Sequence, residues 1–139
     1  MARRHVLYID RADLPDRAAR QAAIDAAKIN VTIDHGYAPF EIEGYLPCTL
    51  EGEDAGFDIR FSQRNASAPL PPGLAAAIGS RDVAIALKWT SDPREKIAAF
   101  AFSAALAQGF GAIVHDPEQD ALIADQALLK QARAALEDI

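Results

Sequence analysis

A chain of 139 residues, half of them hydrophobic and 24% charged, has the size and composition of one globular domain that needs no covalent staple. Its formal net charge of −6 disfavours nucleic acid as a partner, because neutralising phosphates takes a basic patch. Its single cysteine, Cys48, cannot form an internal disulfide, so nothing argues for an oxidising compartment, and the chain reads as a bacterial cytoplasmic protein.

Arg3 and Arg4 imitate the start of a secretion signal, but the apolar run behind them ends at Asp10, too soon for a signal core or a membrane span. Residues 5–10 are apolar on both faces, as in a short central strand covered on both sides. Asp13 before Leu14-Pro15 predicts a helix start, and the helix would run to about Ile29. Leu14, Ala18, Ala22, Ala26 and Ile29 mark its buried face, with Arg17, Arg20, Gln21 and Lys28 on the other side. Val31 to Asp34 alternates as a strand.

From His35 to Asp54, glycines and prolines cut the chain into short extended pieces. Phe57, Ile59 and Phe61 then define one face of a strand over 57–62. Asn65-Ala66-Ser67 matches a glycosylation sequon, a chance match without secretion. One helical turn over 74–78 precedes the strongest strand, in which Val83, Ile85, Leu87 and Trp89 alternate with small residues that invite a close-packed helix. Asp92-Pro93-Arg94-Glu95 predicts a capped helix, apolar nearly all round, to about Gln108, with Gly109 ending it. A short strand over 112–115, a turn, a return strand at Leu122-Ile123 and a last helix from about Asp125 complete the chain. Leu128, Ala132, Ala135 and Leu136 form the apolar stripe of that helix. Strands grouped in blocks with separate helices predict an α+β fold, mainly an antiparallel sheet with a long apolar helix and two further helices packed on it.

Chemistry is sparse in this pattern. No nucleophile elbow, phosphate loop or dinucleotide fingerprint is present. His35, Glu41 and Glu43, together with His115 and Asp116, would make a His/carboxylate metal cluster if the glycine-rich middle folded over one end of the sheet. Turn residues satisfied by backbone groups are the commoner arrangement for such histidines. Cys48 between apolar neighbours reads as a core residue, and Trp89 as one on the core face. Glu41, Glu43, Glu51, Glu53 and Asp54 concentrate negative charge in the irregular middle, a surface suited to a basic protein partner.

Four segments, Gly44-Tyr45-Leu46-Pro47-Cys48, Gly56-Phe57-Asp58, Asp82-Val83-Ala84-Ile85 through Trp89, and Gly111 to Pro117, together resemble small, mostly uncharacterised bacterial proteins. Some of these look like immunity partners of secreted polymorphic toxins. The resemblance implies a non-enzymatic domain that binds and blocks a toxin, and it transfers no catalytic residue. The sequence thus predicts a protein-binding domain without a cofactor and without nucleic-acid or membrane partners. The alternatives are a small hydrolase or metal-dependent enzyme using the His/carboxylate cluster, and a homodimeric structural protein paired through a sheet edge or the last helix.

Overall fold

A computed structural model describes residues 3–33, 43–64 and 70–139. Among these residues, four α-helices and nine strands arrange as expected for an α+β domain. The strands are β1 (Arg4–Ile9), β2 (Val31–Ile33), β3 (Glu43–Leu46), β4 (Cys48–Leu50), β5 (Glu53–Asp54), β6 (Phe57–Gln63), β7 (Val83–Lys88), β8 (Ile113–Asp116) and β9 (Ala121–Ile123). The helices are α1 (Arg17–Ala26), α2 (Pro72–Ile78), α3 (Pro93–Phe110) and α4 (Asp125–Glu137). Six strands form one sheet in the order β3-β6-β7-β1-β8-β9, and β2, β4 and β5 form a second. The pairings between these strands are antiparallel. The chain passes from one sheet to the other at Pro47, between β3 and β4.

The central position of β1 explains its two apolar faces. Leu7 and Ile9 enter the main core, while Val6 and Tyr8 pack with Leu74 and Ile78 of α2 on the opposite face. Strand β7 pairs with both β1 and β6, the latter in the register Phe61 to Ile85. It sends Val83, Ile85 and Leu87, followed by Trp89, into the main core, and Ala84 lies against the α2 cluster. Small residues on that face let a helix approach closely.

Helix α3 occupies the centre. Every residue from Ile97 to Leu106 is buried, because the six-stranded sheet, the small sheet, α1 and α4 all pack against it. A helix enclosed in this way needs no polar face. Asp92 caps it by accepting a hydrogen bond from the Arg94 N–H at 2.9 Å, and the Glu95 carboxylate accepts from the Thr90 N–H at 3.1 Å. Glu95 therefore reaches two residues further back than the capping-box pattern places it. The helix runs through Gly109 and ends at Gly111, whose φ of 76° a residue without a Cβ adopts at no steric cost.

Helix α1 departs from expectation in start and phase. Its cap is Asp16, whose carboxylate accepts from the Ala19 N–H at 2.8 Å, and Asp13 ends a separate 3-10 turn over Arg11–Asp13. Leu14 precedes a proline and is extended (ψ 124°), as the clash with the proline ring requires, so the helix starts beyond Pro15. Ala18, Ala22 and Ala26 are exposed, and the buried line is Arg20, Ile24 and Ala27. Ile24 is the one large apolar residue of this helix, and its burial outweighs any alanine stripe. Arg20 shares that line and is only 2% exposed, against the expectation that it faces solvent. Gln21 is half-buried and ties α1 to β2, donating to the Val31 carbonyl and accepting from the Ile33 N–H.

Candidate functional site

The acidic residues singled out by sequence fall into three groups. Glu41, like the neighbouring candidate His35, lies outside the described residues. Glu43 begins β3 and pairs in register with Arg60. Glu51, Glu53 and Asp54 come together on the hairpin between β4 and β5, all three exposed. Its two-residue turn, Glu51-Gly52, has φ values of 51° and 84°, the positive pair that matches the twist of a tight hairpin.

Tyr45 stands beside this hairpin, 49% exposed, and its hydroxyl donates to Asp54 Oδ1 at 2.7 Å. Burial of the phenol end, reinforced by the hydrogen bond to Asp54 and its negative charge, pushes the Tyr45 pKa up to about 12. The ring lies directly over Gly56, where any Cβ would overlap it. An aromatic ring and three carboxylates are thereby held on one short, well-braced surface. Arg94 lines the same shallow depression as Glu51 and Glu53 and offsets part of their charge on that side.

His115 and Asp116 sit at the end of β8 and serve the turn that follows. His115 is buried, and its Nε2 lies 2.9 Å from Asp120 Oδ1. Asp116 Oδ1 accepts from the N–H groups of Glu118 and Gln119. A carboxylate, not the backbone, thus satisfies the histidine. Among the described residues no group of three His, Cys, Asp or Glu side chains converges as metal ligands. Cys48 is buried at the start of β4, and Trp89 is buried against the core.

A second site carries no motif in the sequence. At one end of the six-stranded sheet, on the face covered by α3, a pocket of about 560 Å³ opens where β1 begins and β8 ends. His5 lines it, 3% exposed, with its ring against two aromatic neighbours that also touch each other. The Trp89 centroid lies 4.8 Å away in an edge-on arrangement, and the Phe100 centroid is also 4.8 Å away. Among the described residues His5 Nδ1 has no hydrogen-bond partner. Burial lowers the His5 pKa to about 4, with Asp116 pulling it upward and Lys96 pushing it down. The imidazole is accordingly neutral at pH 7. A polar residue at the head of an apolar strand is the one sequence signal that marks this position.

Comparison with known protein families, with curated proteins and with solved structures finds no match. No helix among the described residues is long and apolar enough to cross a membrane.

Proposed function

We propose that this chain is a non-enzymatic domain that binds a basic protein surface through the β4–β5 hairpin. The observation that carries this reading is the exposed set Glu51, Glu53 and Asp54 beside the half-exposed Tyr45. Tyrosine at a contact supplies a rigid apolar area with one polar end, and few rotamers are lost when it is covered. The surrounding carboxylates steer a positively charged partner into place, which raises the association rate more than it lengthens the complex's lifetime. The overall charge of −6 acts in the same direction. The resemblance to immunity proteins supports a secreted bacterial toxin as that partner.

The test is co-expression and pull-down with the product of the neighbouring gene at low salt. It is followed by association kinetics for a variant carrying Glu51→Lys, Glu53→Lys and Asp54→Lys. Retention of the partner is expected, with an association rate that falls with added salt and falls again on charge reversal. Tyr45→Phe, which keeps all three charges but removes the hydrogen bond to Asp54, should leave the salt dependence intact. Failure to retain the partner at low salt refutes the binding reading. A rate unchanged by the triple reversal refutes its electrostatic form.

A further inference from the structure

The pocket around His5 has features that its surroundings do not require for folding. Its volume of about 560 Å³ lies within the range of small-molecule sites. Its lining carries charged side chains of both signs. The basic side chains are Arg3, just ahead of β1, and Lys96, from the first turns of α3; Arg4 alternates with His5 and faces the opposite side of the sheet, with Val6 and Tyr8. The acidic side chains are Asp116 and Glu118, from the end of β8 and its turn, and Asp138, just beyond α4.

His5 lies among these charges and feels both signs. Asp116 and Lys96 act on the same ring in opposite senses. The β1–β8 ladder, continued one step past its Val6–His115 pair, brings Asp116 opposite His5 on the neighbouring strand. Asp116 is held in place by the two backbone N–H groups it accepts from, and Lys96 is set over the Phe100 ring, its Nζ 5.4 Å from the centroid. Fixed charges of this kind lose little freedom when a ligand arrives. The floor between them is a neutral imidazole with two aromatic neighbours and one ring nitrogen left without a partner, a polar group that a filled core would not leave open.

We infer that this pocket binds a small zwitterion of the amino-acid class. Its carboxylate would face Arg3 and Lys96, and its ammonium would face Asp116, Glu118 and Asp138. A purely anionic ligand would meet three carboxylates, and a purely cationic one two basic side chains, so a ligand carrying both charges suits the site better than either.

The experiment uses isotope-labelled full-length protein and follows the His5 ring and Trp89 indole resonances. The probes are the standard α-amino acids and a short series of ω-amino acids, each at millimolar concentration. At least one is expected to move both resonances in a saturable way. The N-acetylated and amidated forms of that compound should each bind at least about tenfold more weakly, since each lacks one charge. Lys96→Met should weaken the free compound by a similar factor and leave its amide unaffected. Asp138→Asn, at an exposed position near the chain end, should do the same for the ammonium side, with the N-acetyl form unaffected. Preserved dispersion of the remaining resonances shows that each variant is folded. The inference is overturned if no compound in the series moves the two resonances. It is also overturned if the blocked forms bind as tightly as the free one.

Discussion

Replacing His5 by phenylalanine removes a buried group whose protonation opposes folding in acid. The ring is 3% exposed, and burial holds its pKa at about 4, against 6.5 for an exposed histidine. Well above pH 6.5 the imidazole is neutral in both the folded and the unfolded chain and leaves stability independent of pH. As the pH falls through 6.5, the unfolded chain takes up a proton that the folded chain refuses, and stability declines until the folded pKa near 4 is reached. The interval corresponds to about 3 kcal/mol, since every tenfold difference in proton affinity between the two states is worth about 1.4 kcal/mol. Urea unfolding of the native protein and of His5→Phe, from about pH 7.5 down to about pH 4.5, isolates this contribution, because every other titrating group is common to both. The native protein should lose about 2–3 kcal/mol more than the variant over that range. The phenylalanine of the variant meets Trp89 and Phe100 in the same aromatic cluster, so the two proteins should differ far less at neutral pH. A stability difference that stays constant across the range would refute the reasoning. It would mean that His5 is protonated in the folded state or that the site opens to water before unfolding.

Ile85→Asp and Leu106→Asp each place a charge where the native side chain is essentially inaccessible, so each should cost several kcal/mol and shift the urea midpoint strongly; an unchanged midpoint would show that the position is not core. Gly56→Ala should push Tyr45 off its seat, because the new Cβ meets both the phenol ring and the Leu46 carbonyl. Overpacking of this kind costs about 1–3 kcal/mol, and a spectrophotometric titration should show the Tyr45 pKa falling from about 12 as its contact with Asp54 is lost. Thermal melts with and without a chelator should coincide, and a drop of several degrees under chelation would restore a metal site built on His35 or His115.

Much of the scaffold was legible in the chain because its signals are strong and local. The alternation of Val83, Ile85, Leu87 and Trp89 with small residues specifies a strand with one face in the core and the other open to close packing, and the apolar segment from Ile97 to Leu106 specifies a helix enclosed on every side. The acidic hairpin could be read as charged residues around a glycine, although the Tyr45 hydroxyl that joins it is brought there by pairing across separate strands. Local signals failed at α1. There a proline moved the start to Asp16, and one isoleucine, rather than a stripe of alanines, set the rotation of the helix and drew Arg20 inside. They failed again at the His5 pocket, whose charged lining is drawn from residues 3 to 138, so no window of sequence contains it. Composition, periodicity and capping determined which segments are strands and helices, because those choices depend on neighbours along the chain. Which faces are buried, and which polar groups meet in a cavity, depends on contacts between residues far apart in sequence, and only the assembled sheet and helices decided them.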